Sequence, residues 1–286
     1  LPERKKIVTT CVEHPAILTT VREYARAGYE VKLIPVDGSG RLDWNFAEKE
    51  IDSNTAIVSC MWANNEIGNV YDVKRMARLA HQQGALFHTD AVQGLGKISF
   101  KAKTLGADMI SVSAHKIHGP KGAGALYIRK GVNLPPLLRG GGQEQDLRSG
   151  TEAMPAIVGF GAACAACDVR AEAAHMAGLR DLCRERLSQI PGLVFLGCGQ
   201  APHVVNIAIP GIRSQGIINC LQDREIYVSA GSACAKGHRS HVLEAMKADP
   251  AAIDGSIRIS FGRDNVPQDV EALAQALEHA KEVLKG

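Results

Sequence analysis

The sequence predicts an α/β fold: a large domain on a mainly parallel sheet, followed by a smaller α+β C-terminal domain. Three observations predict it. Strand-like and helix-like segments alternate through residues 1–130, the order that layers helices over a sheet. Thr55–Met61 is nearly all apolar, as a strand covered on both faces must be, and such strands belong to parallel sheets. A boundary near residue 170 then divides the chain into 1–170 and 171–286, and the later strands and helices form the smaller unit.

Each element follows from local pattern. Ile7-Val8-Thr9-Thr10 reads as a strand, and Glu13-His14-Pro15 opens a helix that runs to about Ala27 and closes on Gly28. Val31–Val36 is the next strand, with a turn at Asp37-Gly38. Asn64-Asn65-Glu66-Ile67-Gly68 follows the apolar strand at Thr55–Met61, and a helix at Val73–Gln83 ends on Gly84. Leu86–Asp90 is a strand that delivers an acid at its end, and Met109–Val112 is a strand that breaks into Ser113-Ala114-His115-Lys116 and then Gly119, Pro120, Gly122 and Gly124. Residues 132–150 are irregular, a length that in a compact domain signals function. One or two helices span 153–190. Strands are expected at Val194–Leu196, Val204–Ile209, Glu225–Ser229 and Ser256–Phe261, with helices near Gln215–Leu221, Arg239–Met246 and Val266–Leu284.

Composition narrows the function. The 286 residues are 45% hydrophobic, enough for a substantial core, and a net charge of +3 is too small to point to nucleic acid or an acidic membrane. No apolar run approaches the ~20 residues that span a bilayer, and Leu1–Val8 lacks the pattern of a signal peptide. The 8 cysteines in so large a chain suggest reduced thiols and a cytoplasmic protein rather than a disulfide framework. Cys164 and Cys167 are expected as small buried side chains on a helix, not a zinc or redox pair.

Asn65, Asp90 and Lys116 each fall just after a predicted strand. If those strands are parallel, the three converge at the carboxyl edge of one sheet, where open α/β sheets bind ligands. A lysine able to form a Schiff base and a carboxylate able to keep a ring nitrogen protonated are the two groups that pyridoxal phosphate requires, and Lys116 and Asp90 supply them. Taken alone, Asp90 is better explained as a strand-end cap or a solvated acid, and His14 as a surface or helix-start histidine instead of a ring-stacking one. Asn65 and Gln93 offer amide donors to a phenolate oxygen, while Ser113, His115 and Thr151 offer donors to a phosphate. In the run Val228–His238, Cys234 stands among small residues with Lys236 and His238 near, which favours the nucleophilic thiolate. Arg258, in the apolar strand Ile257-Arg258-Ile259, suits a bidentate grip on a carboxylate or a structural salt bridge.

Together these residues resemble the cysteine desulfurases of the NifS/IscS-like group, class-V aminotransferase relatives with the fold of type I pyridoxal phosphate enzymes. The matching motifs are Glu13-His14, Asn64–Gly68, Asp90–Gln93, Ser113–Lys116, Gly119–Gly122, Gly140–Glu144, Arg148–Thr151, Gly231–Cys234 and Ser256–Arg258. The resemblance implies that Lys116 carries the cofactor, His14 stacks on its ring and Asp90 pairs with its pyridinium nitrogen. It further implies that Asn65 and Gln93 address the phenolate oxygen, and that Ser113 and His115 bind the phosphate. Thr151 reaches the phosphate of a neighbouring subunit, so a homodimer is expected. Arg258, with Asn65, holds the substrate carboxylate. Cys234 takes sulfur from L-cysteine as a persulfide, leaving L-alanine, and passes it to an iron–sulfur scaffold or a thiolation enzyme. No metal site is expected beyond a transient iron–sulfur role for Cys234. Family members carry a segment ahead of the point where this chain starts, including a glycine-threonine loop for the cofactor phosphate, so the large domain is expected to lack its N-terminal part. Selenocysteine lyase, another class-V aminotransferase and a non-catalytic fragment are the alternatives; Cys234 argues against the aminotransferase, which needs no thiol.

Overall fold

The computed structural model describes residues 3–230 and 239–285. Along the chain the elements are β1 (Lys6–Thr10), α1 (Pro15–Arg26), β2 (Glu30–Ile34), α2 (Trp44–Glu50), β3 (Thr55–Ser59), α3 (Val73–Gln82), β4 (Leu86–Asp90), α4 (Ala102–Leu105), β5 (Met109–Ser113) and, after a 3₁₀ turn at Ala114–Ile117, β6 (Gly124–Ile128). They continue with α5 (Met154–Ala166), α6 (Val169–Leu187), β7 (Val194–Phe195), β8 (Val204–Ala208), α7 (Ser214–Gln222), α8 (His241–Ala245), α9 (Pro250–Asp254), β9 (Ser256–Ser260) and α10 (Pro267–Lys285).

Apolar β-branched runs make the strands, and their order makes the site. The first sheet runs β2-β1-β3-β4-β5-β6, parallel throughout except for the β5–β6 pair. Because β1, β3, β4 and β5 are parallel neighbours, their C-terminal ends share one edge. Strand order reverses beside β1, the switch point at which open sheets leave a crevice. Val8, Ile34, Val58 and Phe87 are fully buried in the core beneath. One polar ladder crosses that interior: Ser59 Oγ lies 2.8 Å from His88 Nδ1, and His88 Nε2 lies 2.8 Å from Ser111 Oγ. Burial pushes the His88 pKa down to about 4.

The second sheet is antiparallel, in the order β7-β8-β9. Its core gathers Val205, Ile207, Ile257 and Ile259 from the strands, with Leu179, Cys183, Ile217 and Leu277 from α6, α7 and α10. Val242, Leu243, Met246 and Ile253, although late in the chain, pack into the core of the first sheet.

Three expectations need correction. Residues 225–229 form no strand: Glu225 takes a positive φ of 60° and turns the chain away, leaving only a single bridge from Ser229 to Arg258. The glycine-rich stretch after Lys116 hides a strand, β6, antiparallel to β5. Cys164 is exposed and Cys167 half-buried, because no residue of the apolar helix α5 is fully buried by the described elements.

Candidate active site

Four strand ends place the predicted residues. Past β1, His14 caps α1: its Nδ1 accepts from the Ala16 N–H at 3.1 Å, and Pro15 supplies a first helical residue with no N–H to satisfy. Past β3, the loop carrying Asn65 is built around Asn64, whose Oδ1 accepts from the Glu66 and Ile67 N–H groups and whose Nδ2 donates to Val12 O. Asp90 is the last residue of β4, and its Oδ1 accepts from the Val92 N–H at 2.9 Å. Gln93 follows in the next turn. Gly94 there lies so close to Trp62 that a Cβ would sit 2.4 Å from its ring. Ser113 ends β5, with Oγ 2.7 Å from His115 Nδ1, and Lys116 stands exposed on the 3₁₀ turn beyond. The Lys116 carbonyl accepts from Lys97 Nζ at 2.9 Å, which fixes that turn against the loop after β4.

The second sheet closes the site from the other side. Arg258 Nη1 donates to Asn65 O at 3.0 Å, tying β9 to the loop after β3. Ser229 and Arg258 exchange both backbone hydrogen bonds, and His241 Nε2 lies 2.9 Å from Glu13 O. Those two contacts anchor the chain on either side of residues 231–238. Cys234 itself lies outside the described residues. Thr151 is exposed in the irregular stretch ahead of α5, and no described contact joins it to the other site residues.

Electrostatics unite the cluster. Burial raises the pKa of Asp90, and the positive charges of His14 and Lys116, with the Val92 N–H, work to hold its carboxylate ionised. Burial, with Lys116 and Lys121 adding to it, lowers that of His115, leaving it neutral beside Ser113. Burial also lowers that of Lys97. Glu13 is fully buried, and burial pushes it up to about 8 despite the hydrogen bonds it accepts from the Met61 N–H and Thr10 Oγ1. Protonated, it sets no second charge beside Asp90. An aromatic ring with a basic nitrogen fits this arrangement: a carboxylate for the nitrogen, an imidazole close by, amides for a ring oxygen and a primary amine for a carbonyl.

Three contributors have no local signal in the sequence. Lys97 and Glu13 are ordinary charged residues whose roles appear only once burial is known. His203, one residue before β8, lies with Nε2 2.8 Å from Gln93 Oε1 and feels the charges of Lys97, Arg258 and Lys116.

Comparison with known proteins identifies the family. The aminotransferase class-V family matches residues 1–273. A cysteine desulfurase of Klebsiella pneumoniae is 42% identical over 283 residues, covering 97% of this chain and 71% of that protein. A solved NifS-like protein superposes with a TM-score of 0.91 at 37% identity, over 98% of this chain and 76% of its own. A structure of SspA in complex with cysteine gives a TM-score of 0.78 at 29% identity, over 92% and 75%. The chain therefore belongs to the class-V aminotransferase family, in its cysteine desulfurase group.

Proposed function

We propose that this chain is a pyridoxal phosphate-dependent cysteine desulfurase, which converts L-cysteine to L-alanine and places the sulfur on Cys234 as a persulfide. The observation that carries the reading is that His14, Asp90 and Lys116 follow the C-terminal ends of β1, β4 and β5, parallel strands of one sheet, near enough for His14 and Lys116 to act electrostatically on the half-buried Asp90 carboxylate. When bound, the cofactor supplies an electron sink for the carbon–sulfur chemistry. Asp90 pairs with the ring nitrogen and holds its proton there. His14, a helix cap with a fixed ring, covers the ring face. Ser113 and His115 bind the phosphate, and Lys116 supplies the amine. Arg258, fixed on Asn65, holds the substrate carboxylate so that its sulfur has one orientation.

In the transfer itself the substrate Cβ–S bond breaks and an S–S bond forms to Cys234. The proton of the Cys234 thiol is released, and Cβ takes up a proton to become the methyl group of alanine, so no external oxidant or reductant is needed. The anchors at Ser229 and His241 support this role, since they hold both flanks of the Cys234 segment beside Arg258 and Glu13. The persulfide then serves an iron–sulfur scaffold or a thiolation enzyme in the cytoplasm. A homodimer is part of the same reading, supported by the exposed apolar residues Met154, Ile157 and Val158 of α5; in it Thr151, just ahead of them, serves the neighbouring subunit's phosphate. Residues 1–170 and 171–286 act as its large and small domains.

The test is Cys234→Ser. Sulfide release from L-cysteine is expected to vanish while the visible absorbance of bound cofactor persists; release at the parent rate would show that another group accepts the sulfur.

A further inference from the structure

His203 joins the two sheets at the site. It precedes β8, its carbonyl accepts from the Phe261 N–H at 3.0 Å, and the residue is 5% exposed. Its Nε2 is 2.8 Å from Oε1 of Gln93, a residue 110 positions earlier in the chain. Its Nδ1 is buried with no hydrogen-bond partner among the described residues. Burial, helped by the positive charges of Lys97, Arg258 and Lys116, takes its pKa down to about 3, so the ring is neutral.

A neutral imidazole carries one N–H, and the surroundings select which nitrogen bears it. With the proton on Nδ1, a buried donor would be left unmade, and buried unmade donors are rarer than unmade acceptors. With the proton on Nε2, the donor is used on Gln93 and only a lone pair goes without a partner. The ring therefore donates. Gln93 Oε1 is the acceptor, and the amide NH₂ is the end left for a ligand.

We propose that His203 is a positioning residue: by donating from Nε2 to Gln93 Oε1, it commits the Gln93 side chain to present a hydrogen-bond donor, not an acceptor, to the anionic ring oxygen of the cofactor. This rests on the reading of Gln93 as a cofactor ligand. A donor there stabilises the more anionic state and lowers the pH midpoint of the bound cofactor's visible band, whereas a carbonyl turned the same way would oppose the ring oxygen. The second sheet thereby sets the electronic state of a ligand bound on the first.

Two measurements test it. In the cofactor-free chain, side-chain ¹⁵N NMR of histidine should show His203 neutral with its proton on Nε2, and Gln93→Leu should remove the hydrogen-bonded shift of that proton; a proton on Nδ1 overturns the proposal. With cofactor bound, His203→Phe should raise the pH midpoint of the visible band by about one unit. Gln93→Leu should raise it equally, the double variant should add nothing, and His203→Gln, which restores an N–H donor, should recover part of the shift. If Gln93→Leu moves the midpoint and His203→Phe and the double-variant comparison show His203 acting independently, the positioning role is wrong. If Gln93→Leu leaves the midpoint unchanged, the reading of Gln93 as a ligand fails, and the proposal with it.

Discussion

The two sheets meet at one site but contribute to it in different ways. The first is parallel, so β1, β3, β4 and β5 all end on the same edge, and His14, Asn65, Asp90 and Ser113 with Lys116 arrive there one strand at a time. The second is antiparallel, and its strands cannot all point their ends at a common edge. It supplies Arg258 from the middle of β9 and His203 from just ahead of β8, and both hydrogen-bond to residues in the loops that follow strands of the first sheet, Asn65 and Gln93. The difference teaches a division of labour that goes with the proposed function: parallel strand ends deliver the groups that would hold the cofactor, while the antiparallel sheet ties and orients them.

The largest test of that division is Lys116→Ala. Removing the amine should abolish the visible band of bound cofactor and lower alanine formation from L-cysteine by at least about 10³-fold. Substantial residual turnover would move the chemistry away from the first sheet's edge. A smaller effect of another kind is expected from Ile207→Ala, a fully buried side chain in β8. Lost burial and the cavity should cost about 2–5 kcal/mol, read as a lower urea midpoint, while the cofactor band of the folded protein stays. Loss of the band in conditions where the variant remains folded would mean that the second sheet builds the cofactor site itself.

The smallest effect sharpens the electrostatic side of the comparison. Glu13, folded, holds its proton up to about pH 8, whereas in the unfolded chain it ionises near ~4.3. Between those values the folded state binds more protons, so stability falls as pH rises. Glu13→Gln removes the titrating group and keeps an acceptor for Thr10 and the Met61 N–H. Thermal denaturation should show a midpoint a few degrees above the parent at pH 8 and equal to it near pH 4. A midpoint that falls at pH 8 would show that the carboxylate form is the one the site needs.

Much of the first sheet was legible because its signals are local. Runs such as Leu86–Asp90 announce both the strand and the residue it delivers, and the parallel order follows from the helices between them. The glycines that broke the pattern after Lys116 were legible as a loop, but β6 within them gains its order from pairing with β5, a tertiary effect no short window contains. The second sheet was harder. Its strand cores at β8 and β9 read plainly, but Glu225–Ser229 has strand-like composition and makes only the bridge from Ser229 to Arg258 among the described residues, after a positive φ at Glu225. His203 illustrates the limit most clearly: a lone histidine before an apolar run has no meaning until Gln93, far away in sequence, is brought against it.

The ladder Ser59–His88–Ser111 has a consequence for how the first sheet assembles. Apolar strands of similar length can pair in several alignments with little difference in burial, and a slip of one residue turns every side chain to the opposite face. Here such a slip would strand two hydroxyls and an imidazole, and His88 resists the charging that would let water in to rescue it. The three residues thus act as a checksum on strand alignment, penalising each wrong register of β3, β4 and β5 by unmet polar groups. Since the site residues hang from the ends of those same strands, the correct alignment of a buried ladder is also what brings Asp90 and Lys116 to the same height.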